Sequence, residues 1–381
     1  GVERCLFGNG KELHFKKLMD FDTIGGKSNK NGARFDLDAM YVNWLGLSLK
    51  CYLPKSENSL SYVWESLKGK ISYCNIKRLM FSSGWRYYAE IVVSGAAPTR
   101  VSIGTSTMGI DPGVSTIAGV SEDACVLEEL APNAIQYEKK IQKISQRMDR
   151  SRRISNPNKY NEDGTINRSN RDPWKYSKNY VKMCRLLKSL YRKKHAYIVD
   201  SHRKLCNKLI TIARYFPVEK MHFQALQKRA KETKRQEKKT EVKQKDGTVK
   251  VIQKYKRKKR FGRSINRRAP ARFLLELKRK AEAVGGVYAE VDTKEFKASQ
   301  YNHVTDTYEK IPLSQREKEI GKRKVQRDLY SAFLIRNADL DFKHPDREKC
   351  EYEFEYFADM QDQLILKMKE SGLSMRQCFG F

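Results

Sequence analysis

Stretches with strand periodicity and stretches with helical periodicity alternate along the chain. Between residues 33 and 97, β-branched and aromatic residues cluster on both sides of a turn at Ser82-Ser83-Gly84, which predicts strands and a hairpin. Residues 107–127 predict two strands joined by a tight turn. Two further short apolar runs, at 216–221 and 287–291, predict one strand each.

Apolar stripes with helical spacing fill most of the remaining chain. Tyr137, Ile141, Ile144 and Met148 share one face of a predicted helix. Asp172-Pro173 has the pattern of an N-cap followed by a first helical residue, so a long helix is predicted from there to just before Pro217. Further helices are predicted after Ala269-Pro270 and in the ranges 325–336 and 352–372, whereas 228–268 is predicted as a loop and 293–320 as irregular.

The order of these elements predicts the fold class. A strand hairpin, helices, a strand, a helix, a strand and a helix follow one another, as in an RNase H-like mixed sheet that carries a large helical insertion. The β-rich start predicts a small barrel or sandwich. We therefore expect an α+β or α/β protein whose N-terminal β-barrel precedes an RNase H-like domain.

The charge of the chain points to a polyanionic partner. The 381 residues include 77 Lys and Arg against 45 Asp and Glu, a net charge of +32. Residues 228–268 hold 19 of those cations and four of the acids. Nucleic acid is the expected partner and an anionic membrane surface the weaker alternative. No run approaches the ~18 apolar residues of a membrane span, and 40 aromatic residues argue against wholesale disorder.

The cysteines argue against a zinc site. None of the eight belongs to a C-x-x-C pair, which structural zinc sites usually need. No charged-then-apolar signal sequence stands at the start, so reduced thiols and a cytoplasmic location are expected.

Three acids lie where the predicted fold would bring them together. Asp111 ends an apolar strand and precedes Pro-Gly, Glu219 follows Phe-Pro-Val on a short strand, and Asp328 lies early in the predicted helix 325–336. Carboxylates suit Mg²⁺, and a pair of such ions can activate water and stabilise the leaving oxygen of a phosphodiester. Any one of these acids could instead be an ordinary turn, cap or surface residue.

Six stretches carry a family resemblance. The segment MGIDPGVSTIA (108–118) resembles the first RuvC motif of the TnpB family, transposon-encoded RNA-guided DNA endonucleases related to type V CRISPR effectors. The other five stretches are ISYCNIKRLMFSSGWRYYAEIVV (71–93), VEKMHFQALQKRAK (218–231), RFGRSINRRAPARFLLELKRKA (260–281), KASQYNHVTDTY (297–308) and VQRDLYSAFLIRN (325–337). The resemblance as a whole covers most of the chain, from about residue 5 to 340.

The resemblance implies a domain plan and a site. Residues 1–100 would form a β-barrel wedge domain, and 106–340 a RuvC nuclease domain with a helical insertion at about 133–213 and a basic loop at 228–268. Residues 341–381 would be a C-terminal helical segment. Asp111, Glu219 and Asp328 would be the catalytic, Mg²⁺-binding acids. Guide RNA and target DNA would be the partners, in a prokaryotic-type cytoplasm and on the nucleoid when DNA is bound.

The sequence departs from the family pattern in two places. Residues 292–327 contain no Cys, although the family usually has a four-cysteine zinc ribbon between its second and third RuvC motifs, so no zinc is expected. The helical recognition region usually found near the N-terminus is not visible either. The chain is therefore expected to be an N-terminally incomplete piece of a longer protein.

Several residues are candidates for nucleic-acid contact. Those expected near RNA, a heteroduplex or the scissile phosphate are Lys228, Arg229, Arg257, Lys258, Lys259, Arg260 and Arg327. Arg327 could equally be a solvated side chain. Trp85, Tyr87 and Tyr88 could stack on unpaired bases or be buried in the barrel. Two other functions stay open: a nuclease-inactive, RNA-guided DNA-binding repressor, and a guide-free RuvC-like resolvase or transposase.

Overall fold

The computed structural model describes residues 6, 21–95, 97–162, 164–227, 235–243, 248–255, 261–312 and 315–372. Its contacts divide the chain into two compact units. The first unit combines Gly1–Pro98 with Lys139–Lys193, and the second combines Thr99–Glu138 with Lys194–Phe381. No helix in the described part of the chain is long and apolar enough to cross a membrane.

The β-rich start forms two small antiparallel sheets and one helix. The elements are β1 (Thr23–Gly25), β2 (Arg34–Asp36), β3 (Tyr41–Trp44), β4 (Leu47–Lys50), α1 (Glu57–Leu67), β5 (Ile71–Phe81) and β6 (Gly84–Val93). One sheet has the order β1-β5-β6 and the other β2-β3-β4. Phe35, Val42, Leu67 and Cys74 are buried together in the core of this region.

These two sheets do not form the predicted barrel. Within the described residues, no strand hydrogen-bonds an edge of one sheet to an edge of the other. The predicted run of strands is also interrupted by α1, which contributes Leu67 to the shared core. Burying apolar faces of two sheets and a helix against one another provides a core without closing a barrel.

Two long helices follow the first strands of the second unit. The elements up to the second of these helices are β7 (Ser106–Thr107), β8 (Gly109–Pro112), β9 (Thr116–Val120), β10 (Cys125–Glu129), α2 (Ala134–Ser155), a 3₁₀ turn (Pro157–Lys159) and α3 (Lys178–Ile212). The predicted hairpin around Asp111-Pro112-Gly113 is confirmed, since β8 and β9 pair antiparallel.

The predicted start of the long helix at Asp172-Pro173 is wrong. Helix α3 begins at Lys178, and the Ser177 hydroxyl accepts a hydrogen bond from the Tyr180 amide over 3.1 Å. The segment before it is held by the buried Asn156, whose Oδ1 accepts from the Lys175 amide and whose Nδ2 donates to the Lys175 carbonyl. A serine cap further along the chain therefore replaces the aspartate.

The rest of the second unit continues with strands and shorter helices. They are β11 (Ala213–Glu219), α4 (Phe223–Leu226), β12 (Arg235–Lys243), β13 (Val249–Tyr255), α5 (Gly262–Arg268), α6 (Pro270–Ala283), β14 (Val287–Val291), α7 (Thr293–Phe296), β15 (Tyr301–Asn302), β16 (Thr307–Tyr308), β17 (Glu317–Ile320), β18 (Arg323–Gln326), α8 (Arg327–Arg336) and α9 (Arg347–Glu370). The range 228–268, predicted as a loop, contains the β12–β13 hairpin and α5. The range 293–320, predicted as irregular, contains α7, the β15–β16 hairpin and the first strand of the β17–β18 hairpin.

A mixed sheet of six strands organises the second unit. Its order is β10-β9-β8-β11-β14, and β7 also pairs with β11. Strands β8, β9 and β10 run antiparallel, whereas β11 runs parallel to both β8 and β14. Residues of α3 and α6 are buried against one face of the sheet, and residues of α8 and α9 against the other. The unit therefore has three layers, with helices on both faces of the sheet.

Candidate functional site

The strand register brings Asp111 and Glu219 side by side. Ile110 on β8 is the partner of Val218 on the parallel strand β11, so the next residues on the two strands, Asp111 and Glu219, are also neighbours. Ile110 and Val218 are fully buried against α3 and α6. Because successive side chains of a strand point to opposite faces, the two acids face the layer formed by α8 and α9.

A glycine lets the third acid's helix lie close to this strand. Gly109 is two residues before Asp111 and therefore shares its face. A Cβ atom on Gly109 would lie 2.2 Å from the Ala332 carbonyl oxygen and 2.4 Å from the Arg336 amide nitrogen, so α8 packs directly on the β8 backbone. Asp328 lies one helical turn before Ala332. The close packing at Gly109 thus brings the start of α8 towards Asp111.

The helix that carries Asp328 begins later than the sequence predicts. Val325 belongs to β18, where it pairs with Lys318, and α8 starts at Arg327. Gln326 is the N-cap, and its Oε1 accepts a hydrogen bond from the Leu329 amide over 2.7 Å. The ladder of the β17–β18 hairpin includes Val325 and Gln326, the first two residues of the predicted helix. Asp328 is therefore in the first turn of α8, where a carboxylate is favoured by the helix dipole.

The Glu219 carboxyl is buried and that of Asp111 is partly buried beside it, and the charge of Arg327 only partly offsets the rise in the pKa of Asp111. Glu219 is 8% exposed and the two groups lie within hydrogen-bonding reach of each other. Burial, followed by the charges of Glu219 and Asp328, holds the pKa of Asp111 well above its usual range. Burial also raises the pKa of Glu219. A pair of this kind is typical of sites that receive a cation or a proton during function.

Asp328 has a different environment, because two arginines hold it. Its Oδ1 accepts hydrogen bonds from Nε and Nη2 of Arg327 over 3.2 and 3.0 Å, and its Oδ2 accepts from Nη1 of Arg316 over 3.2 Å. Arg327 also donates from Nη1 to the Gln315 carbonyl. The carboxylate side chain is 14% exposed. Its negative charge acts on Asp111 and Glu219, but its own oxygens are engaged by guanidinium groups.

A second glutamine connects this junction to the long helix α9. Gln361 is fully buried, its Oε1 accepts from the Gln326 amide over 2.7 Å, and its Nε2 donates to the Lys324 carbonyl over 3.2 Å. Gln326 in turn caps α8 and places its Nε2 3.5 Å from Asp328 Oδ2. The position of Asp328 therefore depends on a residue 33 positions further along the chain.

The donor set suits a hard cation only in part. Asp111 and Glu219 present oxygen ligands in a mostly buried, negatively charged environment, which fits Mg²⁺. Within the described ranges, no three His, Cys, Asp or Glu side chains are arranged to hold a metal ion. Asp328 would join the other two acids as a ligand only when its arginine partners give way.

The remaining predicted contact residues fall into two classes. Lys228, Arg229, Arg257, Lys258, Lys259 and Arg260 lie outside the described residues. Arg327 is described, and with a side chain 9% exposed it is a buried ion-pair partner of Asp328 rather than a solvated side chain. The cysteines that the structure describes, six of the eight, are free thiols.

Sequence reasoning missed Arg316, Gln326 and Gln361. Arg316 falls in a range predicted as irregular, and Gln326 in one predicted as helix. Gln326 lies in the motif stretch 325–337 without an assigned role and Gln361 lies outside every motif stretch, and the contact between them joins two elements that are far apart along the chain. No local signal in the sequence could have found them.

The chain was compared with family models, curated proteins and solved structures. No family model and no curated protein matches the chain. Among solved structures, a chain of a CRISPR-Cas12f ternary complex is similar over 74% of this chain, with a TM-score of 0.33 and 14% sequence identity. This chain spans about half of the length of that one, 49%.

Proposed function

We propose that this protein is an RNA-guided, Mg²⁺-dependent DNA endonuclease with an RNase H-like RuvC nuclease domain. The observation that carries the proposal is the pair Asp111–Glu219, two carboxyls with raised pKa values at neighbouring positions of parallel strands. The order of the sheet supports it. With the strands numbered from β8, β9, β10, β11 to β14 as 1 to 5, the order is 3-2-1-4-5, with an antiparallel 1-2-3 meander followed by two parallel strands.

Each acid has a separate task in this proposal. Asp111 and Glu219 would bind metal on the sheet, and Asp328 would complete the site from α8. When bound, two Mg²⁺ ions would supply an activated water and charge stabilisation for the leaving oxygen of the phosphodiester. Glu219 and Asp328 have low exposure, so a phosphate bound there would be partly shielded from bulk water and its electrostatic contacts would be strengthened.

The choice of RNA as the guide rests on the sequence. The net charge of +32 fits a protein that holds a polyanion throughout its working cycle. The resemblance of the six motif stretches to the TnpB family adds the guide itself. Base pairing would then read the DNA sequence, while the protein reads the shape of the RNA and a short flanking motif.

One observation favours a second candidate function. The two arginines on Asp328 occupy the oxygens that a metal would need. A chain whose third acid never leaves its arginines would be an RNA-guided DNA-binding repressor without nuclease activity. The two functions differ in their chemistry and share their partners.

The experiment is purification of the protein with its RNA, sequencing of that RNA, and incubation with DNA complementary to its variable end. Cleavage that needs Mg²⁺ and is lost in Asp111→Asn supports the endonuclease. Asp123→Asn, a change of an exposed acid in the turn between β9 and β10, is the matched control and should cleave normally. Guided binding without cleavage would support the repressor, and cleavage without any RNA would support a guide-free enzyme.

A further inference from the structure

Strand β17 carries a lysine, Lys318, that is buried in the second unit. It is 6% exposed. Its Nζ donates a hydrogen bond to the Tyr301 carbonyl over 2.6 Å and lies 5.4 Å from the centroid of the Tyr330 ring on α8. Both of these partners are neutral. In the part of the chain that the structure describes, no carboxylate forms an ion pair with Lys318, although buried lysines are usually paired.

Burial among neutral partners makes the charged form of this lysine costly. It lowers the pKa of Lys318 to about 8, and the charge of Glu309 only partly opposes this change. An ordinary lysine has a pKa of ~10.4. Near neutral pH a sizeable fraction of Lys318 is therefore unprotonated, and the unprotonated amine is the nucleophilic form of a lysine side chain.

The buried titratable groups that face Lys318 do not change charge near its pKa. His303, between β15 and β16, has its pKa lowered by burial to about 4. Burial raises the pKa of Tyr301 and of Tyr330 well above the usual range. A property of this region that changes with pH near 8 would therefore report the protonation of Lys318.

A cavity of about 470 Å³ borders Lys318. Its wall includes residues of β15, β17 and β18 and the segment 309–312. The other charged residues of the wall are exposed, namely Glu309, Lys310, Glu317, Glu319 and Lys324. A cavity of this size accommodates a small organic molecule. Such a molecule would pass exposed charged side chains and meet one buried amine.

We infer that Lys318 is a site of covalent acylation by a small activated acyl donor, an acyl phosphate or a thioester, that enters this cavity. The unprotonated amine would attack the acyl carbon and form a C–N bond. The bond from that carbon to the leaving oxygen or sulfur would break, and the leaving group would take the electron pair. One amine proton would pass to water, so that Lys318 becomes a neutral amide.

The hydrogen bond to Tyr301 is compatible with this step. An unprotonated amine has two N–H donors and one lone pair. When one N–H stays on the Tyr301 carbonyl, the lone pair points away from that oxygen and is available for attack. The cavity beside Lys318 offers space for the acyl group of the product.

Acylation would change the place where two hairpins meet α8. Lys318 pairs with Val325 in the β17–β18 ladder, and its Nζ connects this hairpin to Tyr301 on β15. The product removes a positive charge there and adds volume, and β18 leads directly into α8. The inference goes beyond the proposed nuclease and does not rest on it, because acylation is measured without metal or DNA.

The test is incubation of the full chain with acetyl phosphate and, separately, with acetyl-coenzyme A, followed by peptide mass spectrometry. Lys310 and Lys324 line the same cavity and are exposed, so they are internal controls. At about pH 7.5 the unprotonated fraction of an amine with a pKa near 8 is roughly two hundred times that of one near 10.4. A less basic amine is a weaker nucleophile, so we expect Lys318 to react about tenfold faster than either control.

Two variants test the cause of this reactivity. Glu309→Gln removes the charge that favours the ammonium, so the midpoint of the pH–rate profile should move to lower pH and the rate near neutral pH should rise about twofold. Glu319→Gln changes another exposed acid of the cavity wall and should leave the profile unchanged. Circular dichroism checks that both variants are folded. Urea-denatured protein, in which burial is lost, should show equal rates at Lys310, Lys318 and Lys324.

The two donors identify the source of the acyl group. A faster reaction with acetyl phosphate assigns the site to acyl phosphates, and a faster reaction with acetyl-coenzyme A assigns it to thioesters. Both outcomes support acylation at Lys318. Acylation of Lys318 no faster than that of Lys310 and Lys324, or a rate at Lys318 that still rises tenfold per pH unit well above pH 8, would overturn the inference.

Discussion

Two glutamates of the second unit are partly or fully buried in opposite electrostatic environments. Glu138 on α2 accepts hydrogen bonds from Lys194 and Arg267 over 2.9 Å each, and these cations lower its pKa although burial opposes them. Glu219 lies beside Asp111, and its pKa is raised. Glu138 therefore has its charge neutralised within the protein, whereas Glu219 is left needing a cation. A fold can stabilise itself with the first arrangement and bind or react with the second.

Replacing each of the two glutamates with glutamine tests this difference most directly. We expect Glu219→Gln to lower Mg²⁺-dependent DNA cleavage about a thousandfold, or ~4 kcal/mol in the transition state. Its melting temperature should match or exceed that of the unmodified protein, because a like-charge contact with Asp111 is removed. Single-turnover cleavage and differential scanning calorimetry measure the two effects. Strong destabilisation with normal cleavage would make Glu219 a structural residue.

Burial also affects the charge of two histidines of the second unit, which it keeps neutral. His202 on α3 is 1% exposed and packs on Phe273, and burial lowers its pKa to about 4. His303, which bonds the Tyr330 hydroxyl, has its pKa lowered to about 4 in the same way. Below the unfolded value near 6.5 the unfolded chain binds more protons than the folded one. Each histidine should therefore cost up to ~3 kcal/mol of stability as pH falls from about 6.5 to 4.

Urea denaturation across that pH range measures this loss. The two histidines together make the unfolding free energy depend on pH. His202→Leu should remove about half of their contribution, and His303 should still supply the other half. A variant with the full slope of the unmodified protein would show that His202 is protonated in the folded state.

The packing of α8 on β8 links the charged pair to the third acid. Gly109→Ala should destabilise the protein by about 1–3 kcal/mol, because the added methyl group meets backbone atoms of α8 that cannot turn aside. Cleavage should fall as Asp328 moves away from Asp111. Gly119→Ala on β9 is the control, since its new methyl group would meet the ends of the flexible Met108 and Ile110 side chains. Equal losses of stability and cleavage in the two variants would show that the contact between Gly109 and α8 has no special role.

Replacing Glu138, which is paired with two cations, should lower stability and leave cleavage unchanged, the opposite of the result expected for Glu219. Glu138→Gln leaves Lys194 and Arg267, both mostly buried, without their acid, so we expect a loss of about 1–2 kcal/mol in unfolding free energy and unchanged cleavage. Asp200→Asn, which breaks the exposed pair with Lys204, should cost under about 0.5 kcal/mol. Chemical denaturation compares the two. If Glu138→Gln lowered cleavage without lowering stability, Glu138 would have a functional role and would not differ from Glu219 as described above.

The smallest expected effect is that of replacing Arg316, which pairs with Asp328 Oδ2. Arg316→Gln should free one carboxylate oxygen and raise the affinity of nucleic-acid-free protein for Mn²⁺ by about fivefold, the equivalent of one partly exposed ion pair, ~1 kcal/mol. Titration followed by electron paramagnetic resonance reads this out. Lys310→Gln, an exposed change nearby, is the control. An affinity equal to that of the control would mean that Arg316 does not compete with metal.

The sequence predicts where the three acids lie in the fold better than it predicts the residues around them. Asp111 and Glu219 end short apolar strands, and strand ends follow from local patterns such as Asp-Pro-Gly. Asp328 is assigned to the right helix with the wrong start, because Val325 fits a helical stripe as well as it fits the β17–β18 ladder. The arginines on Asp328 and the Gln326–Gln361 contact depend on tertiary packing, which no local pattern encodes. The predicted barrel fails for the same reason, since closure depends on which sheet edges meet.

The contact between Gln361 and Gln326 also sets an order of events during synthesis. A nascent chain contains all three acids as soon as residue 328 has left the ribosome. The support for the helix that carries the third acid arrives only with residue 361, on α9. A partly translated chain would therefore contain all three acids before the contact that positions the start of α8 can form.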